Sequence, residues 1–326
     1  MKKKIAILGS TGSIGKTLIE IIKKDKKNFD VILLTAQKNE VSLLKQAKSL
    51  NVKNLIITNS QSYEKAIKKI SNKKVVVWYE QGLGDTLNFA RYVLLLKKYT
   101  NQITFVVQDK LIRVLKNLDK EVAIKGLQEA ENENFDFQIP LMSLIKILNE
   151  SLERPFQCTI KLNEKSSKID FDSDHLHIAF AHSGNQNYSR DHYRSMDISK
   201  LQNIFKLKNI HFYKLNNSNM SSLDPVFNKT LTDLSHLDIY DISILLSKFD
   251  LIFSTDTVFA HLCGILNINC VLLLSKNSDW RWFDDHKKTV WYKSIRIVKQ
   301  KKLDDWDKVI LLINRFLRLK SYTKKI

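Results

Sequence analysis

Short apolar runs alternate with segments of helical period along most of this chain. That alternation leaves few folds open, because consecutive strands joined through helices must pair in parallel. Residues 1–74 read as an extended run over Lys4–Leu8, an amphipathic helix over Ser13–Lys24, strand Phe29–Leu34, helix Glu40–Leu50, strand Asn54–Ile57 and a helical segment Ser62–Ile70. After a junction at Ser71-Asn72-Lys73-Lys74 the pattern resumes with strand Val75–Tyr79, helix Thr86–Tyr99, strand Ile103–Val107 and helix Lys110–Leu118, then turns irregular to about Asp170. A further set comprises strands Leu176–Ala181 and Ile210–Lys214, helix Ile239–Lys248, strand Leu251–Ser254, helix Val258–Leu266, strand Cys270–Leu274 and a closing amphipathic helix from Asp304 to about Leu319. The expected class is α/β: a Rossmann-like half-domain over 1–74, then a pair of Rossmann-like domains over 75–170 and 171–326, with a cleft at the carboxyl ends of their strands.

A net charge of +19 raises the question of a nucleic-acid partner, since clustered Lys and Arg gain affinity by releasing counterions. Residues 1–74 hold 17 of the 53 basic residues, all Lys, against 5 of the 34 acidic ones, so most of the excess lies in one segment. Those lysines fall mainly on helix surfaces, and no basic run is interleaved with stacking aromatics, which points to a solvated face and no nucleic acid. Weak peripheral attraction to the anionic inner membrane surface is the remaining option. No apolar run approaches the roughly 18 residues of a membrane span, and the MKKK start leads too soon into Gly9-Ser10-Thr11-Gly12 to be a signal peptide, so a cytoplasmic location is expected. Cys158, Cys263 and Cys270 form no CxxC pair and are expected as free thiols. His175-Leu-His177 offers two imidazoles, but no second Cys or His cluster stands at ligand spacing in the sequence, so no metal site is assigned.

The first strand ends in Gly9-Ser10-Thr11-Gly12-Ser13-Ile14-Gly15 and opens a helix. Glycines there let the backbone turn and approach a pyrophosphate, and the helix start offers free N–H groups. Lys38-Asn39, beyond the second strand, adds a cation where a ribose 2′-phosphate would lie, which favours NADP over NAD.

Three more loops follow strands. Glu80-Gln81-Gly82-Leu83-Gly84-Asp85-Thr86 places a carboxylate near a helix start, where Asp85 has two readings: a helix cap, or a general base for an acceptor hydroxyl. Ser254-Thr255-Asp256-Thr257 leads into a helix carrying His261. Asp256 or Thr257 can cap that helix, its N–H groups suit a diphosphate, and His261 can donate to a phosphate oxygen or serve structurally. His182-Ser183-Gly184-Asn185 precedes Arg190 and Arg194, either of which matches diphosphate geometry.

The block ILGSTGSIGKTLIEII, followed by Thr35-Ala36-Gln37-Lys38-Asn39, closely resembles the N-terminus of 1-deoxy-D-xylulose 5-phosphate reductoisomerases, NADPH-dependent enzymes of isoprenoid-precursor synthesis. Over about 70 residues the resemblance implies NADPH contacts from Thr11, Gly12, Ser13, Ile14, Lys38 and Asn39, in a loop bounded by Gly9 and Gly15. Gln37 stands where many members have Gly or Asn. The family's catalytic Asn-Lys-Glu-Ser segment and acidic metal ligands do not follow Lys74, so reductoisomerase activity is not expected.

Six ordered blocks after Val75 resemble glycosyltransferase family nine, the heptosyltransferase-like group, and more closely the related domain found after tetratricopeptide repeats. They are EQGLGDTLNFARY, FDFQIPLMSL at Phe135–Leu144, AHSGNQNYSRDHYRS at Ala181–Ser195, DLIFSTDTVFAHLCG at Asp250–Gly264, DWRW at Asp279–Trp282, and VWY at Val290–Tyr292. The resemblance implies a GT-B fold, with the acceptor mainly on the first domain and the nucleotide-sugar donor on the second, and metal-independent inverting transfer that needs no cofactor. It makes Asp85 the base, places Asp256 and Thr257 against the donor's sugar or phosphates, has Gly82, Gly84, Ser183 and Gly184 line the donor loops, and has His261 and Arg194 stabilise the leaving nucleotide. Val258 replaces the Gly of the heptosyltransferase Asp-Thr-Gly turn, as in the repeat-associated branch; the reductoisomerase-like unit stands in place of that branch's helical repeats, which leaves the acceptor open among glycan, lipid-linked and protein hydroxyls. Trp280, Arg281 and Trp282 either stack on a nucleobase or glycan or form a buried cluster behind the loop.

Overall fold

The computed structural model describes every residue except 1, 53, 60–61, 63–72, 163–168, 170, 186, 190, 219–221, 225, 228–230, 284–287 and 324–326. The expected helix Ser62–Ile70, the Ser71-Asn72 junction and Arg190 therefore lie wholly or largely outside the described residues.

The first sheet holds β1 (Lys3–Ile7), β2 (Phe29–Ala36) and β3 (Asn54–Ile57), parallel and in that spatial order. Helices Ser13–Lys24 and Glu40–Leu50 make the crossovers. Ile19 and Ile22 of the first and Leu43 and Ala47 of the second share one core with Ile7, Val31 and Leu34. Each of the Ile, Leu and Val side chains stabilises the unit by about 1.5–3 kcal/mol when fully buried. Among the described residues β1 is an edge strand, paired with β2 alone.

The second sheet has β4 (Val75–Trp78), β5 (Ile103–Val106), β6 (Val122–Lys125) and β7 (Phe137–Pro140) in the order β6-β5-β4-β7, all parallel. β6 and β7 correct the expectation of an irregular stretch here. At four residues each they are too short to display a period against the surrounding turns. The helix after β4 runs over Leu83–Leu95 and begins before the expected Thr86, so Asp85 stands within its first turn.

The third sheet comprises β8 (Leu176–Ala181), β9 (Ile210–Lys214), β10 (Leu231–Asp233), β11 (Leu251–Thr255), β12 (Cys270–Leu274) and β13 (Ile295–Lys299). Its order is β10-β9-β8-β11-β12-β13, parallel throughout. Every residue of β8 is buried, as a central strand covered on both faces requires. The chain runs outward from β8 to β10, then returns to lay β11, β12 and β13 on the other side. The reversal between β8 and β11 is the switch point of a doubly wound sheet, where the loops following both strands flank a crevice. One core joins Phe180, Phe212 and Phe253 of the sheet to Trp306 and to Val309, Ile313 and Leu317 of the last helix, Asp307–Thr323.

Two compact units result. One takes in Met1–Gln81, Phe89–Ile112 and Asp119–Leu152; the other takes in Gly82–Asn88, Arg113–Leu118 and Glu153–Ile326. No described helix is long and apolar enough to cross a membrane. Among the described residues Cys158, Cys263 and Cys270 form no disulfide.

Candidate functional site

Residues 82–88 group with the six-stranded sheet. The Asp85 carboxylate accepts the Gly82 N–H on Oδ2 at 3.2 Å and the Arg281 Nη1 on Oδ1 at 2.6 Å. Asp85 thus ties down the turn that starts its helix, as the cap reading requires, and keeps its second oxygen on a cation. Burial pushes its pKa up, against the opposing pull of Arg281 and the Gly82 N–H.

Arg281 stands in the short 3-10 turn Trp280–Trp282, capped by Asp279, whose Oδ1 accepts the Arg281 N–H at 3.1 Å. Its Nη2 lies 3.1 Å from Asp279 Oδ2, so one guanidinium bridges two carboxylates, while its buried Nε has no hydrogen-bond partner among the described residues. The Trp291 indole N–H donates to the Arg281 carbonyl at 2.6 Å. Immediately after the turn Phe283 takes φ 51°, a left-handed conformation that costs a bulky residue about 1–3 kcal/mol and that clusters at functional sites.

His261 lies on helix Val258–Ile265 and is buried, its ring stacked on Trp282 with centroids 5.0 Å apart and its Nδ1 3.0 Å from the Tyr292 hydroxyl. Gly84 lets the Asp85 turn come against that ring, since a Cβ there would sit 2.6 Å from His261 Cδ2. A Cβ on Gly264 would meet the Tyr292 ring at 2.3 Å, so the Tyr292 that fixes His261 rests on bare helix backbone. Tyr292 carries this role without any mark in the sequence beyond its place in VWY. Of the two readings of the DWRW segment, the buried cluster holds for Trp282, whereas Trp280 is half exposed.

Thr257 is the helix cap, its Oγ1 accepting the Phe259 N–H at 3.3 Å and lying 2.8 Å from Ser254 Oγ. Asp256 is thereby released from capping. It is buried at the mouth of the switch point, and burial raises its pKa against the pull of Arg281 and, more weakly, Arg194. After β8, Ser183 Oγ accepts from Asn216 Nδ2 at 2.7 Å, and the Gly184 N–H donates to Ser195 Oγ at 3.0 Å. Arg194 Nε donates to Asp191 Oδ1 at 2.8 Å, and Asp191 Oδ2 accepts the Ser195 hydroxyl at 2.6 Å. His182 is held by the Met196 carbonyl and the Ser218 hydroxyl, both at 2.7 Å, and burial lowers its pKa.

The structure thus joins Asp85, Gly82, Gly84 and His261 directly and puts Arg194 and Arg281 within electrostatic reach of Asp256, while Ser183 and Gly184 belong to the loop after the neighbouring strand β8. Asn216, Asp191 and Ser195, which brace that loop, lie at spacings that carry no motif.

In the first sheet, Gly9 adopts φ +69°, and a Cβ on Gly15 would come 2.5 Å from the Gly9 carbonyl oxygen. These two positions need glycine for the turn and for close packing of helix on strand. Gly12 is the N-cap without a side-chain bond, and Thr11, Ser13 and Ile14 stand around an open helix start. Asn39 Oδ1 accepts the Ser42 N–H at 3.0 Å, so this side chain caps its own helix, while Lys38 is exposed just beyond β2.

Residues 5–96 match the family profile of 1-deoxy-D-xylulose 5-phosphate reductoisomerase, past Lys74 and into the helix Leu83–Leu95. The Pelagibacter ubique enzyme of that name is 54% identical over 76 residues, which cover 23% of this chain and 20% of that protein. The chain thus spans about a fifth of the length of the curated relatives it matches. Among solved structures, E. coli ADP-heptose lps heptosyltransferase II aligns at 11% identity over 78% of this chain and 100% of that one, with a TM-score of 0.53. The heptosyltransferase TibC in complex with ADP-D-β-D-heptose aligns at 12% identity over 78% of each chain, with a TM-score of 0.52. Over most of its length the chain has the GT-B-like fold of the heptosyltransferases, and its first residues match a reductoisomerase profile.

Proposed function

We propose that this protein is a glycosyltransferase that moves a sugar from a nucleoside-diphosphate donor to a hydroxyl of a glycan, lipid-linked or protein acceptor. The observation that carries this reading is the meeting, beside a sheet switch point, of two buried carboxylates, Asp85 and Asp256, with the guanidinium of Arg281. The ADP-heptose held by TibC guides the donor class. In the proposed step the acceptor oxygen attacks the anomeric carbon from the face opposite the diphosphate. The bond to the diphosphate oxygen breaks with inversion, and the acceptor proton passes to Asp85. The leaving diphosphate gains negative charge, which Arg194, Arg281, His261 and the N–H groups after Thr257 would meet without a metal ion. Asp256 receives the donor sugar's hydroxyls. A cytoplasmic setting, with peripheral membrane contact for a lipid-linked acceptor and no nucleic acid, suits this chemistry.

A second reading, NADPH binding at the N-terminal loop, is supported by the open helix start after Gly12 and the close approach at Gly15. The pyrophosphate would sit at that helix start, but among the described residues β1 has one neighbour where a complete dinucleotide sheet continues. Reductoisomerase chemistry is not proposed, and an inactive fusion acting as a binding module is the outcome if neither site takes a ligand.

A thermal-shift screen against nucleoside diphosphates, nucleotide-sugars and NADPH tests the ranking, because a ligand that binds only the folded state raises the melting temperature. Stabilisation by a nucleoside diphosphate or its sugar supports the transferase. Stabilisation by NADPH alone overturns it.

A further inference from the structure

The donor loops occupy the carboxyl ends of β8 and β11. The amino ends of β8 and β9 carry a different cluster, built from Asp172, His175, His177 and His211. His177 and His211 face each other in the parallel register of the two strands, and His175 stands just before β8. The sequence spacing gives His175 and His177 no companion; strand pairing supplies His211 from the neighbouring strand.

These four side chains have distinct roles. His177 is buried with both nitrogens engaged, Nδ1 by the Tyr213 hydroxyl at 2.8 Å and Nε2 by the Asp172 carbonyl at 2.9 Å, so it anchors the loop that presents Asp172. Asp172 Oδ1 is fixed by the N–H groups of Asp174 and His175, both at 2.9 Å, and lies 2.8 Å from His175 Nδ1. Asp172 Oδ2 is turned toward His211 Nε2 at 3.4 Å. One ligand atom from each of Asp172, His175 and His211 lies within 4.8 Å of the other two.

Tetrahedral zinc with bonds of about 2.0–2.1 Å sets its ligand atoms about 3.3–3.4 Å apart. His211 Nε2 lies 3.4 Å from one Asp172 oxygen and His175 Nδ1 lies 2.8 Å from the other, so the carboxylate stands between the two rings, and the three ligand atoms, all within 4.8 Å of one another, need to draw together by about an ångström or so to meet that spacing. Two imidazoles and one carboxylate are donors for zinc or another divalent first-row transition metal; calcium and magnesium prefer all-oxygen sets. The three side chains are partly exposed, which gives an ion a way in and leaves a fourth position for water.

We propose that Asp172, His175 and His211 bind one zinc ion per chain, fastening the loop that enters β8 to the start of β9. The site stands at the opposite ends of these strands from the donor loops, so it does not depend on the transferase reading.

The test uses full-length protein stripped of metal by chelator dialysis, zinc titrated in competition with a chromogenic chelator, and cobalt(II) as a spectroscopic stand-in. Wild type is expected to take up one equivalent of zinc, to give the visible absorption of four-coordinate cobalt, and to melt at a higher temperature with zinc than without. Asp172→Asn and His211→Ala should each weaken zinc binding by more than the roughly 10–100-fold typical of losing a group that merely supports a ligand. Melting of the metal-free variants verifies that they fold, and His236→Ala, an exposed histidine elsewhere, should leave zinc uptake unchanged. No zinc uptake by wild type, or equal uptake by wild type and both ligand variants, overturns the proposal.

Discussion

Replacing Asp85 by Asn removes a base while keeping an acceptor of the same shape, so its consequences for chemistry and for folding separate. The chemical loss expected of a general base is about 10²–10⁴-fold in transfer rate, or about 2.7–5.4 kcal/mol on the barrier. The folding loss is smaller than that of an ordinary buried ion pair. Removing one partner of a buried pair costs about 3–5 kcal/mol when the other charge is stranded. Arg281, however, keeps Asp279 at 3.1 Å, and both side chains of the Asp85–Arg281 pair retain some solvent, at 12% and 13% exposure. An Asn oxygen still accepts the Gly82 N–H, leaving roughly 1–2 kcal/mol of destabilisation. Urea unfolding measures the second quantity, and single-turnover transfer with donor affinity measured separately gives the first. Transfer that falls only in step with donor affinity would refute the base and leave Asp85 a helix cap. Arg281→Gln supplies the control of sign. The base works ionised, burial raises its pKa, and the guanidinium opposes that rise, so losing the guanidinium must move the acid limb of the rate profile to higher pH. A limb that stays in place or moves down assigns it to another group.

Two further changes probe the packing. Gly84→Ala brings a Cβ to 2.6 Å from His261 Cδ2, and because Trp282 and Tyr292 hold that ring, a stability loss of about 1–3 kcal/mol in urea unfolding and weaker nucleoside-diphosphate binding are expected; wild-type values for both would show that the ring yields freely. His182 has a folded pKa lowered by burial, so its contribution to stability is present above the unfolded value of 6.5 and is lost as pH falls below it; His182→Asn should flatten that decline in unfolding midpoints, and an unchanged slope would assign it elsewhere.

Much of the fold is legible because parallel α/β strands are either long apolar runs or follow clear helices. Leu176–Ala181 and Cys270–Leu274 match the structure to the residue. Leu231–Asp233 and Ile295–Lys299 escape notice because edge positions buried on one side permit Thr232, Asp233 and Arg296, which break the apolar signal. The loops of the site are legible as strand, polar turn and helix, but their connections are not. Asp85 and Arg281 meet across 196 residues, and neither the ion pair nor the burial that shifts both aspartates leaves a spacing to be found. Asn39 caps its own helix, a role that the spacing of Lys38-Asn39 after the second strand does not announce.

Arg281 bonds to Asp85 and Asp279 and also acts on the charge of Asp256, so in this state one guanidinium answers three carboxylates. A diphosphate entering beside them meets net repulsion unless one carboxylate takes up a proton or yields Arg281. Protonation of Asp85 does both, because a neutral carboxyl weakens its hold on the guanidinium. Nucleoside-diphosphate affinity should therefore rise as pH falls through the Asp85 titration, whereas transfer, which needs the ionised base, should fall over the same interval. Calorimetric titration of wild type and Asp85→Asn across that range isolates the effect from the ligand's own ionisation, since the variant keeps the amide neutral at every pH. The variant should bind the diphosphate at least as tightly as wild type at neutral pH and should lack the extra gain on acidification. Weaker binding by Asp85→Asn at neutral pH would mean that Asp85 holds Arg281 in the binding geometry, and the competition between base and leaving group for one cation would be wrong.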